Sequence, residues 1–253
     1  MPIFDTCEDK NRHRFRAGGI GSLIILMLLT VSLPARAGVQ IFDRVTAVDQ
    51  PVYLKIRTTG IIFPSGGQRI HLQIGGQPPR TLLSGADGFA YHRFQPRQPG
   101  LIRLAAVSDT EQARGILLVL AETQSALLVE IDPALRPTPF SAEAREESPG
   151  AIERLQQHYA VVYLVRWPWV DRVRKWLSEA GFPVSAVIRW EGRETARQLK
   201  KNGVDISAAV GSSQFLQELP DTVAHRYAFE PNLGEESVQH WRQILDALLP
   251  GDK

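Results

Sequence analysis

The hydrophobic period of this chain changes once, near residue 122, and that change demands two differently built halves. From Val39 to about Leu120 apolar residues recur at every second position. Val52, Leu54 and Ile56 alternate with Tyr53, Lys55 and Arg57, and Ile70, Leu72 and Ile74 alternate with Arg69, His71 and Gln73. Ile102 and Leu104 follow the same rule. Turn residues part these runs at Ser65-Gly66-Gly67, Gly75 to Pro79, Ala86-Asp87-Gly88 and Pro96 to Gly100. Period two is the mark of a strand with one buried face. Roughly seven such strands spaced about 8–12 residues apart predict an all-β sandwich.

After Glu122 apolar runs alternate with amphipathic stretches. Ala126 to Ile131, Val161 to Val165, Val184 to Ile188 and Ile206 to Val210 read as buried strands, with a brief one at Tyr227–Phe229. Helices are expected over Pro149–Tyr159, with Ser148 as N-cap, and over Val170–Ala180, stopped by Gly181. Further helices are expected over Glu194–Asn202, near Gln214–Leu219 and over Glu236–Leu249. Such alternation predicts a mainly parallel sheet with helices on both faces, and its ligands belong beyond the carboxyl ends of the strands. The halves read as residues 38–122 and 123–253, with almost no linker, so they are expected to touch.

Both halves resemble known families. In the first, Asp87-Gly88 makes a turn into an alternating strand closed by Phe94 and Pro96, and Pro99-Gly100 opens the next strand. This resembles bacterial immunoglobulin-like domains and implies an immunoglobulin-like sandwich. In the second, Glu130-Ile131-Asp132 ends the first strand, Tyr163-Leu164-Val165-Arg166 ends the second, Trp176-Leu177 to Gly181-Phe182-Pro183 closes a helix, and Gly211-Ser212-Ser213 ends the fourth strand. This order resembles the haloacid-dehalogenase-like phosphatases, in particular the lipin and phosphatidate-phosphatase type, and implies a Rossmann-like α/β domain.

The resemblance also implies roles, and several of the required groups are altered. The family's nucleophilic Asp falls at Glu130, one methylene longer, and a displacement of about 1 Å can cost about 10²-fold in rate. The general acid is kept as Asp132. The phosphoryl-binding Ser or Thr becomes Val165, which donates no hydrogen bond. The acidic Mg²⁺ ligands would fall at Ser212 to Leu216, where none is acidic. The phosphate-binding Lys could be Arg193, Lys200 or Lys201. Glu130, Asp132 and Lys200 are thus the candidate catalytic set, and Arg166, Trp167, Arg193 and Ser212 the candidate ligand-binding set. No cofactor is expected, with Mg²⁺ required only if phosphatase chemistry operates. The expected function is a binding or scaffold role for a catalytically impaired phosphatase-like domain, the alternative being an active phosphatase on a lipid or small phosphomonoester. Trp167-Pro168-Trp169 follows the second strand, where exposed rings could stack on a ligand or partner or else pack against the sandwich.

The N-terminus carries an expectation about where the molecule works. Lys10, Arg12, Arg14 and Arg16 precede an uncharged run from Ile20 to Leu33, and Ala35-Arg36-Ala37 follows. That is the pattern of a signal peptide over residues 1–37, with a periplasmic or secreted product. The apolar run is short of the roughly 20 residues of a membrane-spanning helix. Cleavage would leave no permanent span, and retention would leave an anchor. Removing those residues leaves 24 basic and 24 acidic side chains, a balance that argues against a nucleic-acid partner. It also removes Cys7, the one cysteine, so neither disulfides nor cysteine-held metals are available. His71, His92, His158, His225 and His240 show no ligand spacing such as i, i+4. The expected partner is an extracytoplasmic protein or a lipid-phosphate ligand.

Overall fold

The computed structural model describes residues 38–60, 64–109, 111–138, 141–230, 236–238 and 240–250. The expected signal segment, residues 1–37, lies outside them. No helix among the described residues is long and apolar enough to cross a membrane.

Residues 38–120 form two facing sheets. One is antiparallel in the order β1-β3-β6, from β1 (Gly38–Ile41), β3 (Val52–Thr59) and β6 (Phe89–Phe94). The other has the order β2-β8-β7-β4-β5, from β2 (Arg44–Ala47), β4 (Arg69–Ile74), β5 (Arg80–Leu83), β7 (Gly100–Ser108) and β8 (Glu111–Leu120). The expected alternation holds in β3, where Val52, Leu54 and Ile56 are buried and Tyr53 is exposed. These residues pack with Ile70, Leu72, Ile74, Leu104, Leu117 and Val119 into one core between the sheets.

The remaining strands form a six-stranded parallel sheet in the order β11-β10-β9-β12-β13-β14. They are β9 (Ala126–Glu130), β10 (Ala160–Val165), β11 (Val187–Arg189), β12 (Ile206–Ser212), β13 (His225–Glu230) and β14 (Glu236–Ser237). Every residue of β9 and β10 is buried, as expected of strands covered on both faces. Leu127, Val129, Val161 and Tyr163 face α1 (Ser148–Gln156), α2 (Val170–Glu179) and α5 (Trp241–Leu248). Leu128, Val162, Leu164 and Ala209 face α3 (Arg193–Lys201) and α4 (Ser213–Gln217).

That second face is shared with the sandwich. Val45 of β2 and Leu118 and Leu120 of β8 pack with Leu128, Val162 and Ala186 in one cluster. Strand β8 therefore serves two cores, giving Leu117 and Val119 to one and Leu118 and Leu120 to the other. Polar contacts fix the join. The Asn202 side chain donates to the Val45 carbonyl (2.9 Å), and the Ala47 amide donates to the Asn202 carbonyl (2.9 Å). The Asp43 carboxylate accepts from the amides of Ile116 (2.6 Å) and Val187 (2.8 Å) and from Arg174.

Several expected boundaries move. Ser148 is the first residue of α1, not its cap; its hydroxyl donates to the Arg145 carbonyl (2.7 Å), and Glu147 holds the cap position at φ 63°. β11 begins at Val187 because only there does the chain come alongside Tyr163 of β10, and Val184 is left 65% exposed. The last helix starts at Trp241 because Glu236 and Ser237 instead pair with Tyr227 and Ala228.

Candidate functional site

In the parallel sheet, chain order reverses between β9 and β12, with β10 and β11 on one side and β13 and β14 on the other. Such a switch point opens a crevice at the carboxyl ends of the two central strands. Glu130 is the last residue of β9 and Ser212 the last of β12, so the sheet itself brings them together.

Glu130 is 2% exposed, and its carboxylate is fully engaged. Oε2 accepts from the Ser212 amide (2.7 Å) and the Ser212 hydroxyl (2.6 Å), and Oε1 accepts from Arg166 Nε (2.7 Å). Gly211 allows this approach, because a Cβ there would lie 2.8 Å from both Cβ and Oε2 of Glu130 and 2.6 Å from Phe215. Burial pushes the Glu130 carboxyl above its ordinary range, and the Ser212 and Arg166 hydrogen bonds offset part of that rise. Ser212 also accepts from the Phe215 amide (3.3 Å), capping α4.

Arg166 extends the cluster outward. Its Nη2 lies 3.5 Å from Glu218 Oε2, and that carboxylate accepts a hydrogen bond from the indole of Trp190. Trp190 is buried edge-on against Phe215, with centroids 4.9 Å apart. Asp132 faces a different cation. It forms a two-pronged pair with Arg136, at 2.8 Å from Nε and 3.1 Å from Nη2, and the Arg136 guanidinium lies over the Trp176 ring at 4.9 Å.

The expected site residues thus divide. Glu130, Arg166 and Ser212 converge, and Asp132 sits two residues beyond Glu130 in an ion pair of its own. Trp167 and Trp169 are 53% and 52% exposed and follow Arg166 in the chain, with near-parallel rings 6.3 Å apart. Arg193 is exposed at the first turn of α3, at the carboxyl edge. Lys200 does not join the site. In a strand–helix–strand crossover the helix runs back against the strands, so Lys200, in the last turn of α3, lies toward the amino edge, about 10 Å along the helix from Arg193. The neighbouring Asn202 is already bonded to the sandwich.

Glu218, Trp190 and Arg136 were not singled out in the sequence. Arg136 had a readable signal, its i+4 spacing from Asp132, and Trp190 had its place just past the third strand. Glu218 had none.

The arrangement does not fit Mg²⁺. That ion needs free carboxylate oxygens in near-octahedral order. Both oxygens of Glu130 are held by Ser212 and Arg166, and both oxygens of Asp132 are held by Arg136. Among the described residues no three His, Cys, Asp or Glu side chains gather into a metal-sized group. What the site can do as it stands is hold an anion, and the anion it holds is its own glutamate.

No family model matches the chain, and no curated protein matches it. Among solved structures it is similar to the CARDB domain of a Pyrococcus furiosus protein in complex with di-metal ions (17% identity, TM-score 0.26, 34% of this chain and 88% of that one). It is also similar to the D00-D0 domain of intimin (8% identity, TM-score 0.26, 36% of this chain and 51% of that one). Tandem Ig repeats of Dlar match at 13% identity and TM-score 0.24, over 37% of this chain and 54% of that one. The chain therefore spans about half the length of the last two. These neighbours include immunoglobulin-like domains, and the two-sheet sandwich itself rests on the strand pairing described above.

Proposed function

We propose that this is an exported binding or scaffold protein whose α/β half is a phosphatase-like domain that no longer turns over substrate. The single observation that carries the reading is the occupancy of Glu130's cradle. In a phosphatase of the haloacid-dehalogenase type, donors at the ends of the first, second and fourth strands would receive the phosphoryl oxygens. Here the Ser212 amide and hydroxyl and the Nε of Arg166 are spent on a buried carboxylate that is part of the chain, while Arg166 Nη2 is turned toward Glu218. An incoming phosphate would have to displace that carboxylate and would meet its charge. Asp132, the candidate acid, has both carboxylate oxygens engaged by Arg136. The outward-facing Trp167 and Trp169 supply the contact surface next to the closed site.

The test is turnover. The purified protein with Mg²⁺ and a panel of phosphomonoesters, lipid phosphates included, is expected to hydrolyse none above background. Hydrolysis that disappears in Asp132→Asn overturns the proposal in favour of an active phosphatase.

A further inference from the structure

We propose that the outer face of the β1-β3-β6 sheet is a docking surface for an acidic polysaccharide. The register carries the argument. Tyr53 pairs with Arg93, Lys55 with Tyr91, and Arg57 with Phe89, so three consecutive cross-strand pairs each set one aromatic ring opposite one cation. All six point away from the sandwich core, because Val52, Leu54, Ile56 and Ala90 occupy the buried positions between them. Tyr53 is 60% and Tyr91 54% exposed.

The charges on this face are unanswered. Among the described residues none of Lys55, Arg57 and Arg93 has a carboxylate in ion-pair contact, and the Arg57 Nε is buried without a hydrogen-bond partner. Lys55 feels Glu191 and Asp87 only at a distance, while Arg44 and Arg57 repel it, and its pKa is lowered chiefly by burial. The cations are held over rings instead, with Lys55 Nζ 4.2 Å and the Arg57 guanidinium 5.8 Å from the centre of Phe89. In a chain whose residues beyond the expected signal balance to zero charge, three adjacent unpaired cations are a local feature that complements an anion.

The rings narrow the class. Phe89 is covered by Lys55 and Arg57, which leaves two exposed phenols, Tyr53 and Tyr91, on the outer face of the sheet. Each combines an apolar ring face with a hydroxyl that has no hydrogen-bond partner among the described residues. A pyranose matches that pair, with its C–H face against the ring and its hydroxyls within reach of the phenol. Uronate carboxylates along the chain would meet the three cations. A lipid surface would call for rings that protrude, and single-stranded nucleic acid for a longer run of open rings.

The experiment is native electrophoresis of the full protein through gels holding polygalacturonate, dextran or no polymer, at several salt concentrations. Polygalacturonate is expected to retard the protein and dextran is not. Arg93→Glu should weaken retardation about tenfold and the Tyr53→Ala/Tyr91→Ala double variant about fivefold, both with unchanged thermal unfolding. Arg103→Glu, the same charge change on an exposed position of β7 in the other sheet, should leave retardation unaltered. No retardation overturns the proposal, as does equal loss in Arg103→Glu or full retention in the tyrosine double variant. Tighter binding to an oligonucleotide or to phosphatidylglycerol vesicles than to polygalacturonate overturns it as well.

Discussion

Asp43 and Arg174 lie 131 residues apart and meet in an ion pair in which the carboxylate is entirely buried. Asp43 belongs to the short link between β1 and β2, and Arg174 to α2, so this contact joins the two halves. The same carboxylate accepts the amides of Ile116 and Val187, one from each half. Its pKa is pushed up by burial and held back by Arg174 and those two amides.

Breaking this pair should be costly. Asp43→Ala leaves two amides and a guanidinium without their acceptor, and about 3–5 kcal/mol of stability should be lost. Arg174→Met leaves the buried carboxylate without its cation. Its cost should shrink as pH falls and Asp43 takes up a proton, whereas the Asp43→Ala cost should grow, because the raised Asp43 pKa lets the wild type, and not that variant, gain stability on protonation. Urea unfolding of both variants at pH 7 and pH 5 distinguishes the two patterns.

Glu130 gives a second pH dependence, and its direction follows from burial. Its folded pKa is raised above the ordinary 4.5, so between that value and the folded one the unfolded chain binds fewer protons. Stability therefore falls as pH rises through that window and is level above it, with a slope of at most about 1.4 kcal/mol per pH unit from one group. Stability curves of the wild type and Glu130→Gln should diverge across the window, with the variant flatter. Parallel curves would refute the assignment.

Gly211 is there to make room rather than to supply an unusual backbone angle. Gly211→Ala drives a methyl into Phe215 and the Glu130 carboxylate, and overpacking of this kind costs about 1–3 kcal/mol. A fall in melting temperature is the expected readout, together with a shift in the fluorescence of Trp190, whose ring rests on Phe215.

On the proposed phosphatase-like reading, placing an aspartate at position 130 alone should not produce turnover. Glu130→Asp shortens the carboxylate but leaves Val165 without a donor and residues 212–216 without an acid. Hydrolysis of p-nitrophenyl phosphate by that variant is expected to stay at background.

Many of the strands in both halves are legible along the chain, because a run such as Ala126 to Glu130 is buried at every position and tolerates few other readings; their order within each sheet is not. The position of Glu130 at a strand's carboxyl end followed from the same run. Its partners did not. Arg166 and Ser212 stand 36 and 82 residues away, and only the register of three strands makes them neighbours. The two-residue β14 is too short to show any period, so its residues read as the start of the following helix. Sequence spacing leaves Arg193, Lys200 and Lys201 open, because it does not say which end of a helix faces a ligand.

The double duty of β8 bears on how such a chain can be inherited. A recombination event at residue 122 would not separate two modules. It would leave the downstream fragment with Leu128, Val162 and Ala186 open to water, and the upstream one with Leu118 and Leu120 stranded on its outside. Either fragment could be grafted only onto a recipient offering a matching apolar wall. Descent therefore has to carry the sandwich and the parallel sheet together, and substitutions along β8 are constrained from both sides at once.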